Sequence, residues 1–236
     1  MKQVKFLMVA LAIMGMSLTS CMNGDSESTY DGTAYVTVLE YLGTPVLKVD
    51  NSDISLTVTN PDLLKQKDGS YVERALIYFK YQEGVVYDPN KKDYKVTIVQ
   101  GQNIPVADFN LRPDTLKKSY KINDFALGKV LYNGGYLNTV ARVSCNVYPE
   151  FTAYIDTAKI DKAKNMLPII LKFIKGGSEN GGNYTIDAYN SFRLGNVHVS
   201  DPKIGLNVAD SVLLSVTVEG TNEAALKKSI KYKFKY

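Results

Sequence analysis

His198 is the only histidine in this 236-residue chain, and Cys21 and Cys145 are its only cysteines; these three side chains bound the chemistry available. A Ser-His-Asp triad would have to be built around His198 alone, within Asn196-Val197-His198-Val199-Ser200-Asp201, and no Gly-x-Ser-x-Gly elbow is present to carry a nucleophile. Zinc sites draw on several Cys and His at short spacing, and calcium loops on alternating Asp ligands; neither pattern occurs. Cys145 falls on the apolar side of the alternating Val143-Ser144-Cys145-Asn146-Val147 and reads as a small core residue. The glycine-rich stretch 176–183 precedes Tyr184-Thr185-Ile186, which is strand-like, whereas a phosphate loop opens a helix; it reads as a turn. No metal and no cofactor is expected.

Two carboxylates about 5–10 Å apart in a cleft would support glycoside hydrolysis. Asp53, Asp88, Asp93, Asp156, Asp187 and Glu219 are scattered over turns and wet strand faces, and nothing in the spacing selects a pair. Tyr78, Tyr81, Tyr87 and Tyr94 frame the 83–93 loop and form the candidate ligand-stacking set, because tyrosine rings offer flat faces to sugars or bases. The competing reading is packing, since tyrosine favours strands and tryptophan, a strong sugar platform, is absent.

The N-terminus supplies the strongest single signal. Lys2 and Lys5 precede an apolar run from Phe6 to Met16, and Leu18-Thr19-Ser20-Cys21 closes it. A spanning helix needs about 20 apolar residues, so this run is a secretory leader. Its last four residues resemble the lipobox of bacterial lipoproteins, which implies cleavage after Ser20 and acylation of Cys21. Residues 1–20 are thus the expected signal peptide, and 21–31 the acylated cysteine with a flexible polar tether. Asp25 and Glu27 weakly resemble a surface-export mark, leaving periplasmic and cell-surface faces both open. Loss of Lys2 and Lys5 leaves 26 basic against 24 acidic residues. That balance, with lysines spread rather than clustered, argues against nucleic acid. Cys145 is then the only free thiol, so no intramolecular disulfide can form.

The elements that must position these residues are strands. Seventeen tyrosines and repeated two-residue alternation predict an all-β protein with little helix. The expected strands are Ala34–Tyr41, Val46–Val49, Ile54–Val58, Val72–Tyr81, Tyr94–Gln100, Tyr136–Tyr148, Phe151–Ile155, Leu167–Ile174, Tyr184–Tyr189, Val212–Glu219 and Ile230–Tyr236. Helical turns are expected within 61–66, 158–165 and 222–228. In the last strand, Ile230, Tyr232, Phe234 and Tyr236 alternate with Lys231, Lys233 and Lys235, a half-buried strand with a lysine-guarded wet face. Proline and charge between Leu111 and Ser119 mark a linker. The expected layout is a small OB-like β-barrel over 32–112, then an antiparallel β-sandwich over 119–236.

Several segments carry a family resemblance: Val49-Asp50-Asn51-Ser52; the arginine-led Val72-Glu73-Arg74-Ala75-Leu76-Ile77-Tyr78-Phe79; Tyr136-Leu137-Asn138-Thr139; and Leu171-Lys172-Phe173-Ile174. With the lipobox and the barrel-then-sandwich order, the chain resembles the NigD-like lipoproteins of Bacteroidetes over nearly its whole length. That resemblance implies an OB-like first domain, a β-sandwich second domain and no catalytic residues to carry over. Members often show polar pairs such as His-Asn where this chain has Ile174-Lys175-Gly176-Gly177, so no ligand role is assigned to that corner. Asp114-Thr115-Leu116, Asp156-Thr157-Ala158 and Asp210-Ser211-Val212 resemble envelope O-glycosylation sites, making Thr115, Thr157 and Ser211 candidates. The expected function is a non-enzymatic outer-membrane lipoprotein, held in the membrane by acylated Cys21 and binding a protein or glycan. The alternatives are a lipid-anchored glycan hydrolase and a structural subunit of a surface assembly.

Overall fold

The computed structural model describes residues 30–112, 118–127, 135–147, 149–175, 184–219 and 227–234. Five strands close a barrel: β1 (Gly32–Tyr41), β2 (Thr44–Val49), β3 (Ser55–Val58), β4 (Arg74–Tyr81) and β5 (Asp93–Asn103), in the order β1-β2-β3-β5-β4. All neighbours are antiparallel except β3 and β5. Closure leaves no open edge in so small a sheet. Alternation sets the inside: Val36, Val38, Leu47, Val49, Ala75, Ile77, Phe79, Val96 and Ile98 fill one core, and the intervening residues face outward.

The remaining strands are β6 (Val106–Asp108), β7 (Asp124–Leu127), β8 (Tyr136–Cys145), β9 (Glu150–Ile155), β10 (Met166–Lys175), β11 (Tyr184–Arg193), β12 (Val212–Val218) and β13 (Lys228–Tyr232). They form two four-stranded sheets, β13-β12-β10-β9 and β6-β11-β8-β7, which enclose a second core. The all-β barrel-and-sandwich class holds, with one correction. The sandwich is mixed, because β10 runs parallel to β12 and β6 runs parallel to β11. β6 and β7 have too few residues for an alternation signal and form by pairing. β6 lies before the expected linker yet hydrogen-bonds in the second sheet.

The helical pieces among the described residues are two short 3-10 turns, Pro61–Leu64 and Thr157–Lys159. Strand β13 stops at Tyr232, but Phe234 still reaches the core, as its alternation predicts. Tyr236 and most of 222–228 lie outside the described residues.

Candidate functional site

Strand β4 begins with an arginine that alternation turns out of the barrel. Arg74 nevertheless has no exposed side-chain surface. It donates from Nη1 to Asp50 Oδ1 and from Nη2 to Asp50 Oδ2, both at 2.6 Å, and from Nη1 to Thr37 Oγ1 at 2.8 Å. Across the seam, Nη2 reaches Asn138 Oδ1 at 3.4 Å, and the guanidinium lies over the Tyr136 ring, 4.9 Å from its centroid. Glu73, one residue earlier, accepts from Arg193 Nε at 2.8 Å, from Arg193 Nη2, and from Tyr136 Oη at 2.7 Å. Arg193 also donates to Asp108, and Ser191 Oγ donates to Asn138 Oδ1 at 2.6 Å. Three segments singled out for resemblance, around Asp50, Arg74 and Asn138, thus meet at one joint between barrel and sandwich.

Apolar contact completes this seam. Leu76 and Val140 are buried yet belong to neither core. The registers set Leu76 beside Tyr35 and Val140 beside Tyr189, whose rings lie 6.1 Å apart. Burial pushes the Asp50 carboxyl up, opposed by the Arg74 guanidinium. Hydrogen bonds from Arg193 and then Tyr136 hold Glu73 below its ordinary value despite partial burial. Tyr136 is raised, by burial first and by Glu73 second. Chemically this is a brace. Both Asp50 oxygens serve Arg74, which leaves that carboxyl a counter-ion rather than a proton donor to substrate.

Of the four stacking candidates, three come together. Tyr81 and Tyr94 rings are 5.2 Å apart, Tyr87 stacks on Tyr94 at 6.0 Å, and Phe79 packs edge-on to Tyr81 at 5.4 Å. Tyr94 is buried; its Oη donates to the Asp88 carbonyl at 2.5 Å and accepts from the Asp88 N–H at 2.8 Å. These faces are turned on one another and plug one end of the barrel. Burial pushes the Tyr81 phenol up to about 12. Tyr78 stands apart, edge-on to Tyr30 at 5.0 Å.

Cys21, Thr115 and the 176–183 stretch lie outside the described residues. Thr157 and Ser211 are exposed, the first opening a 3-10 turn and the second just before β12. His198 is exposed, and Cys145 is a buried core thiol. Among the described residues no group of three His, Cys, Asp or Glu is placed to hold a metal ion.

Two features of the β1–β2 surface escaped the sequence reading. The hairpin turns through Leu42 (φ 50°) and Gly43 (φ 76°), the left-handed pair that two-residue turns demand, with Leu where Asn or Asp is usual. Leu42 is 89% exposed, Tyr41 72% and Leu39 45%. Beside Leu39 opens a cleft of about 340 Å³ lined by Thr37, Lys48, Val49, Asp50, Ser52, Asp53 and Lys92. The signal available was Leu42-Gly43 directly after the first expected strand, and a lysine alternating with the apolar residues of the second.

No protein-family model matches the chain, and no curated protein matches it in sequence. Solved structures do. An uncharacterised protein from Parabacteroides merdae is similar with a TM-score of 0.57 at 13% identity, covering 87% of this chain and 100% of that one. A protein from Bacteroides fragilis, provisionally described as a lipoprotein, gives 0.52 at 13%, covering 86% and 98%. A NigD-like immunity protein from Bacteroides caccae gives 0.51 at 16%, covering 88% and 94%. At these identities the likeness is one of fold, and at that level the resemblance to NigD-like proteins is met.

Proposed function

We propose that this chain is a non-enzymatic lipoprotein of the outer membrane, anchored through acylated Cys21, that binds a protein partner with the β1–β2 hairpin of its barrel. The observation that carries the reading is Tyr41-Leu42. A leucine held at positive φ costs about 1 kcal/mol, and it gains nothing in the isolated molecule because its side chain stands in water. Apolar side chains clustered at an exposed tip are what a protein interface buries. A glycan partner has less support, since three of the four tyrosines singled out for stacking pack against one another. Fold neighbours described as a lipoprotein and as an immunity protein are in keeping with an envelope protein that acts by binding. Exposed Thr157 and Ser211 suit the proposed O-glycosylation.

The test replaces Leu42 with a photo-crosslinking amino acid in the full-length protein in its own cells. One defined protein adduct is expected, absent when the probe sits at exposed Lys95 on β5. No adduct at Leu42, or the same adducts from both positions, would overturn the reading. Protease treatment of intact cells reports the membrane face, and Cys21→Ala is expected to abolish fatty-acid labelling.

A second reading, a structural subunit, has one observation in its favour: among the described strands β13 is at a sheet edge, beside β12. It predicts concentration-dependent oligomers that a proline at Ile230 prevents.

A further inference from the structure

The cleft beside the hairpin contains a cation that has no counter-ion among the described residues. Lys48, half-buried on the outward face of β2, donates to the buried Ser55 hydroxyl at 2.5 Å. Among the described residues no carboxylate lies within ion-pair distance of it. Both acids that line the cleft are already engaged: Asp50 by Arg74 at 2.6 Å and Asp53 by Lys92 at 2.9 Å. Two lysines and two carboxylates line the cleft, but Arg74 takes Asp50 from outside it, so Lys48 is left over. An ammonium has three donors, and Ser55 uses one. The Thr37 and Ser52 hydroxyls line the same space, with Leu39 and Val49 giving it an aliphatic wall. No lining residue is aromatic, so the cleft has no platform for a sugar ring.

Leu39 belongs both to the apolar hairpin and to this cleft, making the two one continuous surface. We infer that Lys48 receives a side-chain carboxylate from an acidic segment of the protein that docks on the hairpin, an inference that rests on the docking reading above. The apolar tip supplies contact area, and Lys48 fixes register by rewarding an acid at one position and penalising a base there.

The test uses the full-length lipoprotein in non-ionic detergent and a fluorescent hexaglutamate peptide, with hexaserine and hexagalacturonate as comparators. Hexaglutamate is expected to bind and hexaserine not. Lys48→Met is expected to weaken binding by about tenfold or more. Raising salt from about 0.1 to about 1 M, which shortens the Debye length from about 10 Å to about 3 Å, weakens it further. Lys95→Met, outside the cleft, leaves binding unchanged.

Ser52→Asp provides an independent variant. Its carboxylate keeps an acceptor for the Ile54 N–H, which Ser52 Oγ holds at 3.0 Å, while adding negative charge to the cleft. It too is expected to suppress binding, so the inference stays testable if Lys48→Met fails to fold. Retention of hexaglutamate binding in a folded Lys48→Met or Ser52→Asp protein would overturn the inference. So would preference for hexagalacturonate, which would make the cleft a glycan site. If either occurs while the Leu42 adduct persists, only this inference falls; loss of the adduct removes the docking reading itself.

Discussion

Arg74 holds both carboxylate oxygens of Asp50 at 2.6 Å from a position with no solvent exposure, and from there it also reaches Asn138 on the sandwich. A buried charge of this kind is costly to orphan and much cheaper to remove together with its partner. Arg74→Met is therefore expected to destabilise the protein by about 3–5 kcal/mol, because Asp50 is left buried without its counter-ion. The double change Arg74→Met with Asp50→Leu is expected to recover most of that loss. Arg74→Lys retains charge but not the two-pronged geometry and falls between. The chain has no tryptophan, so urea unfolding followed by circular dichroism is the measurement. Equal losses in the single and double variants would contradict the ion-pair account.

The joint is sensitive to acid through Glu73. Its carboxyl is lowered by Arg193 and then by Tyr136, so its contribution to stability is present above its unfolded value, near the ordinary 4.5, and disappears as pH falls through the lower folded value. Asp50 works in the opposite sense: raised by burial, it binds its proton more readily folded than unfolded, so acid favours the native state at that site. Glu73→Gln isolates the first effect. Wild type is expected to be more stable than the variant at neutral pH, with the gap narrowing as pH falls below 4.5. A gap independent of pH would show that the bonds made by Glu73 do not require its charge.

Leu42 offers a test in which stability and function move apart. Leu42→Asn or Leu42→Gly suits the left-handed turn and is expected to stabilise by up to about 1 kcal/mol, raising Tm by about 2–4 °C. The same changes remove the apolar tip and are expected to weaken the hairpin adduct when the probe is moved to Tyr41. Destabilisation by Leu42→Gly would mean that the leucine supports the hairpin rather than a partner.

The tyrosine plug makes a graded prediction. Tyr94→Phe removes the hydroxyl that bonds both backbone groups of Asp88 and is expected to cost about 1 kcal/mol. Tyr94→Ala opens the end of the barrel core and is expected to cost about 3–5 kcal/mol. Tyr87→Ala, at a half-buried position, costs less than Tyr94→Ala. Denaturant midpoints rank the three.

How far the sequence revealed this molecule follows from the range of each interaction. Strands such as β1 and β12 declare themselves by alternation, which is local, so their existence and facing were readable. β6 and β7 have three and four residues and exist because β11 and β8 recruit them, and pairing is not written in so short a segment. The joint was visible only as separate pieces. Asp50 and Arg74 are 24 positions apart, and Glu73 and Arg193 are 120 apart, so no spacing rule connects them. The four tyrosines were recognised as a group, but sequence could not say whether their faces met a ligand or each other. Nothing local distinguishes Lys48 from other lysines; it stands out only because the fold pairs both carboxylates lining its cleft with other cations.

Strand β1 runs from the tether side of the barrel to the hairpin tip. Its lower half, Gly32 to Thr37, pairs with β4, and its upper half, Val36 to Tyr41, pairs with β2 and ends at the hairpin tip. Just before it, the Asp31 N–H donates to the Phe79 carbonyl at 2.8 Å, and the Asp31 carboxylate accepts from the Tyr81 N–H at 2.8 Å. Tension between a membrane-held N-terminus and a partner gripping Tyr41-Leu42 would run along the strand axis. Such a load would enter and leave at the two ends of one strand, Gly32 and Tyr41, so its covalent backbone would carry it and the ladders to β2 and β4 would be spared. On the proposed function, the grip of a partner would reach the anchor without straining the hydrogen bonds that close the barrel.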